Sequence, residues 1–251
     1  MVNTLENGIP LLAAERIEKW YGKIHALRGI DVEIYPGEAL ALIGDNGAGK
    51  STFAKIVAGV EQKTSGRLLW KGKEVDISSI KQARNLGIET VYQEQALAPQ
   101  LTVMQNIFLG RTETKFGILG ILDNKKMAEA ARRVLDELGL AVGVNQEVRF
   151  CSGGEQQGVA VARAILFKAN LVILDEPTRA LSTRGVERIL QFIRSMKNEG
   201  IAVILISHVF PQIFPITDRF MFMSRGQVIA EKRREETSPE DLSRMIIQKT
   251  A

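Results

Sequence analysis

Lys50 and Ser51 close the stretch Gly44-Asp45-Asn46-Gly47-Ala48-Gly49-Lys50-Ser51, whose spacing satisfies G-x-x-x-x-G-K-[ST]. An apolar run, Ala39 to Ile43, precedes it, and Thr52 opens the run TFAKIVAGV behind it. That order is strand, glycine-rich turn and helix start. Residues without a Cβ let successive backbone N–H groups curl around a phosphate, and the helix behind adds its positive N-terminal end. Gly44, Asn46, Gly47, Ala48, Gly49 and Thr52 then line the cradle. Lys50 reaches the β- and γ-phosphates as a point charge, and the Ser51 hydroxyl ligates Mg²⁺. The ligand implied is a nucleoside triphosphate.

A second group of acids stands downstream. Leu171 to Glu176 reads LVILDE, a continuous apolar run of the kind a strand buried on both faces needs, ending in two carboxylates. Ligands of open parallel sheets sit off the carboxyl ends of the strands, so Asp175 and Glu176 emerge where the glycine loop places the phosphates. Asp175 suits Mg²⁺, directly or through water, and Glu176 suits orienting or deprotonating an attacking water. Pro177 is expected to hold Glu176 extended. Cys151-Ser152-Gly153-Gly154-Glu155 precedes a further helix. A capping box, Ser152 at the N-cap with Glu155 three residues on, explains two of these residues but not the paired glycines. Close backbone approach to an anion is the other reading.

The elements that must hold these groups follow from periodicity. Residues 1 to about 38 alternate apolar and polar positions, as half-exposed antiparallel strands do, with a turn at Tyr35-Pro36-Gly37-Glu38. Gly66 to Asp76 reads as a hairpin turning at Lys71-Gly72 and joining those strands. A helix ending at Gly87 leads into the strand Ile88 to Tyr92, which delivers Gln93. From Glu94 to about Phe150 the character becomes helical, with Met127, Ala131, Val134, Leu135 and Leu138 on one face. Beyond it helices and apolar strands alternate, which means right-handed crossovers and a parallel sheet. A short strand pair around 219–232 and a helix opened by Thr237-Ser238-Pro239-Glu240 close the chain.

Composition bounds the alternatives. The 251 residues are 45% hydrophobic and 25% charged, enough for one large α/β domain or a core with an insert. A formal charge of +4 is too mild and scattered to argue for nucleic acid. One cysteine, Cys151, excludes an internal disulfide and suits a reducing compartment. No apolar run approaches the ~18 residues that cross a bilayer. The first residues lack a basic region ahead of their apolar patch, so no signal peptide is expected and the location is cytoplasmic.

In this order the residues resemble the nucleotide-binding subunit of an ABC transporter: Tyr21, the glycine loop, Gln93, Ser152-Gly153-Gly154-Glu155, LVILDE, Ala180-Leu181-Ser182 and His208 after IAVILIS. The resemblance covers nearly the whole chain. It implies a P-loop NTPase, RecA-like α/β core with a mainly parallel sheet, an antiparallel β subdomain and an inserted α-helical subdomain. On that plan residues 1–93 and 151–251 form the core and 94–150 the insert. It further implies ATP and Mg²⁺, with Tyr21 stacked on adenine, Ser51, Gln93 and Asp175 around the metal, and Lys50, Glu176 and His208 in catalysis. Two such domains would pair head to tail, each ATP lying between the glycine loop of one and Ser152-Gly153-Gly154 of the other.

Val91 to Arg111, the segment from Ser152 and the run from Asp175 are similar to importers of monosaccharides such as ribose, xylose or fructose. That implies transmembrane permease subunits, a second ATPase subunit, identical in the simplest case, indirectly a sugar-binding protein, no nucleic acid, and a peripheral seat on the inner face of the membrane. Departures from the family pattern are Cys151 for leucine, Glu155 for glutamine and Arg179 ahead of Ala180-Leu181-Ser182. Glu155 would repel a triphosphate unless its carboxylate turns back onto its own helix. Two rival readings remain: a non-transport ABC ATPase acting on ribosomes or DNA, and a weakly catalytic, nucleotide-gated interaction subunit.

Overall fold

Alternation of apolar and polar residues builds the first sheet. In the computed structural model, which describes residues 8–91, 97–110, 123–167, 169–178 and 183–250, β1 (Leu12–Tyr21) pairs antiparallel with β2 (Ile24–Ile34). β4 (Ser65–Trp70) lies on the other side of β1, and β5 (Lys73–Val75) beyond it, giving the order β2-β1-β4-β5. The expected turns are present: the Glu38 N–H bonds to the Tyr35 carbonyl, and Lys71 and Gly72 both take positive φ. The inward positions, among them Leu12, Ile17, Leu27, Ile30 and Ile34, are buried.

The second sheet is made of the apolar runs. β3 (Ala39–Ile43), β6 (Ile88–Val91), β7 (Leu171–Asp175), β8 (Ala202–Ile206), β9 (Arg219–Ser224) and β10 (Gln227–Arg233) lie in the order β10-β9-β3-β8-β7-β6. All neighbours are parallel except β9 and β10. Side chains of a strand alternate between faces, so this sheet feeds two cores. Ala41, Ile43, Val172, Leu174, Val203 and Leu205 join the core shared with α5 (Gly153–Leu166) and α6 (Thr183–Asn198). Leu40, Leu42, Leu171, Ile173, Ile204 and Ile206 join the core under the first sheet and α1 (Lys50–Val57). The parallel sheet is the middle layer.

Between β6 and α5 stand α3 (Val103–Ile107) and α4 (Asn124–Glu137); α2 (Ile80–Asn85) precedes β6. The expected face of α4 is the buried one, with Met127, Ala131, Val134 and Leu135 inside and Leu138 at its end nearly so. These residues share one core with α5. A Cβ on Gly158 would lie 2.5 Å from a Leu140 methyl, so the segment after α4 packs directly on α5 there and Leu140 would have to shift for a larger residue. The short α7 (Phe210–Ile213) follows β8, and α8 (Pro239–Thr250) closes the chain behind the Ser238 hydroxyl, which accepts from the Asp241 N–H. Among the described residues no helix is long and apolar enough to cross a membrane.

Candidate nucleotide site

The turn after β3 must run close to β9, its neighbour in the sheet. A Cβ on Gly44, at φ 146, would lie 2.0 Å from the Met223 carbonyl oxygen, so only glycine fits. Gly49, at φ 102, is the N-cap of α1 and leaves that helix without a side-chain cap. The donors at the start of α1 are left for a ligand. The loop itself is pinned by the Ala48 N–H on the Asp45 carbonyl at 3.1 Å and by the Gly226 N–H on the Ala48 carbonyl at 3.0 Å.

The loop forms one wall of an open cavity of about 850 Å³, a size suited to a small-molecule ligand. Asn46, Gly47, Ala48, Gly49, Lys50, Ser51 and Thr52 all line it, together with Tyr21, Asp175, Glu176 and His208. Residues distant in the chain therefore converge on one cavity, while Gly44, expected among them, is not in its lining and packs against the Met223 carbonyl. Lys50 folds back on its own loop, donating from Nζ to the Gly44 carbonyl at 2.6 Å and the Asp45 carbonyl at 2.8 Å. Burial pushes its pKa down, against the pull of Glu176, Asp45 and Asp175. An ammonium so placed gains from any anion that enters.

Asp175 and Glu176 leave the carboxyl end of β7 beside β8. Burial raises the Asp175 pKa, Glu176 adds to it, and Lys50 and Lys55 oppose it. Glu176 Oε1 lies 2.6 Å from His208 Nδ1. Its other oxygen, Oε2, is buried without a hydrogen-bond partner, and the side chain as a whole is only 9% exposed. His208, by contrast, is 63% exposed.

The backbone of Glu176 overturns one expectation. Instead of the extended conformation that Pro177 favours, Glu176 has φ 52, in the left-handed region. Its N–H bonds to the Ile206 carbonyl at 2.8 Å, which holds the residue against the end of β8 while its carboxylate meets His208. Such a conformation costs on the order of 1–3 kcal/mol, and strain of this kind is kept where the surroundings impose it.

Tyr21, which closes β1, lines the cavity and is exposed, with Lys19 Nζ 4.7 Å from its ring centroid. Beside it Trp20 and His25 stack at 3.8 Å across the β1–β2 pair. Sequence reasoning missed Ile24, His25, Ala26, Arg28 and Arg225, which also line the cavity. Ile24 to Arg28 follow Tyr21 within a few residues, and that proximity was the available signal. For Arg225 the signal lay only in the pairing of β9 with β3.

Ser152, Gly153 and Gly154 do not line this cavity. They start α5, where the capping box is complete: the Ser152 N–H donates to Glu155 Oε2 at 2.7 Å, the Ser152 hydroxyl donates to the same oxygen at 2.9 Å, and the Glu155 N–H returns a long 3.4 Å bond to Ser152 Oγ. Glu155 thus turns back on its own helix. Gln93, Arg179 and Ala180-Leu181-Ser182 lie outside the described residues.

A glycine loop between a parallel strand and an uncapped helix, with its lysine sharing a cavity with the acids at the end of β7, defines a P-loop nucleoside triphosphatase. Residues 27–179 match the family model described as ABC transporter, and the chain belongs to that family. It is an ATP-binding ATPase subunit. It is 41% identical over 237 residues to the xylose/arabinose import ATP-binding protein of Sulfolobus acidocaldarius, covering 94% of this chain and 93% of that one. It is 45% identical over 224 residues to the fructose import ATP-binding protein of Rhizobium meliloti, covering 87% and 86%. A ribose import ATP-binding protein of Escherichia coli O157:H7 is 39% identical over 96% of this chain, which spans 47% of that longer protein. Among solved structures, a nucleotide-free ATP-binding cassette from an ABC transporter superposes with a TM-score of 0.82 at 24% identity, over 95% of both chains. At that identity the likeness is one of fold.

Proposed function

We infer that this chain is the ATP-hydrolysing subunit of a monosaccharide importer. The relatives named for import of xylose or arabinose and of fructose align over most of their own length. The observation that carries the catalytic part is Glu176: one carboxylate oxygen on His208, the other buried and unpartnered, in the cavity that Lys50 and Asp175 also line.

On this reading Tyr21 stacks on adenine and the loop N–H groups hold the phosphates. Lys50 exchanges the Gly44 and Asp45 carbonyls for phosphate oxygens. Among the described residues no cluster of three or more His, Cys, Asp and Glu groups could hold a metal by itself. That fits Mg²⁺, which needs only one or two carboxylates and completes its shell with other oxygens, water and phosphate among them. Ser51 and Asp175, which line the same cavity, are the proposed ligands, with Gln93, outside the described residues, as the third. The ion would supply charge neutralisation at the β- and γ-phosphates. Glu176 aligns or deprotonates the water, and His208 fixes the carboxylate and contacts the γ-phosphate.

Ser152, Gly153 and Gly154 would complete the site of a second, identical chain. Among the described residues a Cβ on Gly154 would meet nothing nearer than the Gly185 Cα at 3.9 Å, so packing against them makes no demand for glycine there. Approach of another molecule accounts for it. Closure and reopening of such a dimer would drive permease subunits on the inner face of the membrane, fed by a sugar-binding protein. Residues 94–150 would be the helical subdomain set between core segments 1–93 and 151–251.

The experiment is light scattering of Glu176→Gln with and without Mg·ATP, alongside steady-state ATPase of the unaltered chain. A dimer that forms only with ATP, together with turnover lost in the variant, is expected. ATP binding without dimerisation removes the identical partner, and turnover unchanged in Glu176→Gln removes the assigned base.

A further inference from the structure

Two arginines on the cavity wall have no role in the reading above. Arg28, in β2, and Arg225, in the turn between β9 and β10, both line the cavity and are both exposed. Some arginines of the described chain have carboxylate partners, Arg67 on Glu15 and Arg219 on Glu38 and Glu231 among them. Neither Arg28 nor Arg225 has a side-chain partner among the described residues.

Their backbones are nevertheless tied to the phosphate loop. The Arg28 N–H donates to the Gly226 carbonyl at 2.7 Å, and the Gly226 N–H donates to the Ala48 carbonyl at 3.0 Å. A Cβ on Gly49 would touch Leu27 at 2.7 Å and the Ala26 carbonyl at 3.0 Å, with the Gly226 Cα at 3.5 Å. The start of β2, the β9–β10 turn and the glycine loop are thus packed as one unit. At the start of β2 Ile24 pairs with Tyr21, while Gly49, packed on Ala26, Leu27 and Gly226, immediately precedes Lys50, so this unit links the Tyr21 and Lys50 parts of the cavity wall. In a nucleotide whose base meets Tyr21 and whose terminal phosphates meet Lys50, the part lying between is the ribose and the α-phosphate.

Arg225 also breaks a local rule. It takes φ 48 in a two-residue turn with Gly226 at φ 80, where asparagine or aspartate ahead of the glycine is the less strained choice. Lys71-Gly72 has the same positive-φ pair, φ 51 and 78, in the β4–β5 turn. Lys71 does not line the cavity and so serves as a matched control.

We propose that Arg225 and Arg28 form a guanidinium clamp for the α-phosphate and ribose hydroxyls of the bound nucleotide. The proposal rests on the nucleotide reading of the cavity and adds residues that the glycine-loop pattern does not contain. A planar, permanently charged fork suits phosphate oxygens, and a contact at the α-phosphate is made equally by substrate and product. The clamp therefore sets the affinity for ADP as much as for ATP.

The test uses the full chain and titrates ATP, ADP and AMP against the unaltered protein, Arg225→Asn, Arg28→Gln and Lys71→Asn by calorimetry, with thermal melts of each. Arg225→Asn and Arg28→Gln are expected to weaken ATP and ADP by the same factor, roughly tenfold each. Arg225→Asn should also melt no lower than the unaltered chain, since asparagine relieves the turn. Lys71→Asn should leave all three affinities unchanged. Loss of ATP affinity alone would place the arginines at the γ-phosphate and overturn the proposal, as would unchanged affinities in both variants. An unaltered chain that binds none of the nucleotides would instead remove the proposed function itself.

Discussion

The starts of α1 and α5 are both framed by glycines, and they treat their backbone donors in opposite ways. At α1 the N-cap is Gly49, no side chain caps the helix, and the nearest cation, Lys50, rests on loop carbonyls. At α5 the N-cap is Ser152, and Glu155 closes a reciprocal box over it. One helix start depends on a ligand to engage its donors; the other engages two of its own. The same element, a helix N-terminus behind glycines, leaves all its donors open to an anion where the chain withholds its own cap and presents fewer where a cap is built in. If Ser152-Gly153-Gly154 meets a phosphate on another chain, it does so as a preformed and rigid surface, and the charge of Glu155 is already spent on its helix.

Lys50→Ala should produce the largest effect on the α1 side. ATP turnover is expected to fall by roughly a hundredfold or more, since Lys50 is the cationic group closest to the proposed γ-phosphate position. Phosphate release and an ATP titration, run together, check it. The α5 cap should be untouched, so the variant should still fold and melt cooperatively. Retention of full turnover in Lys50→Ala would mean that the bonds from Nζ to Gly44 and Asp45 are the lysine's permanent role.

A smaller effect is expected on the α5 side. Ser152→Ala removes the hydroxyl that both accepts from the Glu155 N–H and donates to the Glu155 carboxylate. It should cost about 1 kcal/mol of stability, which in a chain of this size lowers Tm by roughly 2–4 °C. ATP affinity of the isolated chain should not change, because Ser152 does not line the cavity. Glu155→Gln sharpens the point: if the carboxylate faced nucleotide, neutralising it would raise ATP affinity, and with the box closed no such gain is expected.

Much of this was legible in the sequence because it is periodic or local. Apolar runs such as LVILD and AVILI carry their sheet position in their length and composition, and β1 and β2 in their alternation. The glycine loop and the Asp175-Glu176 pair could be placed at one end of a parallel sheet by the geometry of that sheet alone. What escaped is what depends on partners far along the chain. Glu176 was expected to be extended on the strength of its neighbour Pro177, yet a bond to Ile206 and a contact with His208 decide its conformation. Arg225 reaches the cavity because β9 adjoins β3, an adjacency that no local pattern announces.

The least of the expected effects concerns the charges themselves. Burial and Glu176 raise the Asp175 pKa, so the folded chain holds that proton more tightly than the unfolded one. The sign follows from proton linkage: the contribution is fully present below about pH 4, the ordinary aspartate value, and is lost as pH rises through the raised one. Lys50 runs the other way, its pKa depressed by burial, so its contribution is present above the ordinary lysine range and lost as pH falls through the depressed value. Wherever Asp175 is ionised and Lys50 is protonated, burial makes each charge cost the nucleotide-free chain some stability. Asp175→Asn should therefore melt higher than the unaltered chain at pH 8 without nucleotide. The gain should be small, because the carboxylate is partly solvated, and it should vanish towards pH 4. With Mg·ATP the order should reverse, since the bound cation turns the ionised carboxylate from a cost into a contact. Thermal melts of both proteins across pH, with and without Mg·ATP, decide it. An apo variant that melts lower at pH 8 would show that the pull of Lys50 and Lys55 on Asp175 outweighs its burial, and the α1 side would then be as self-satisfied as α5.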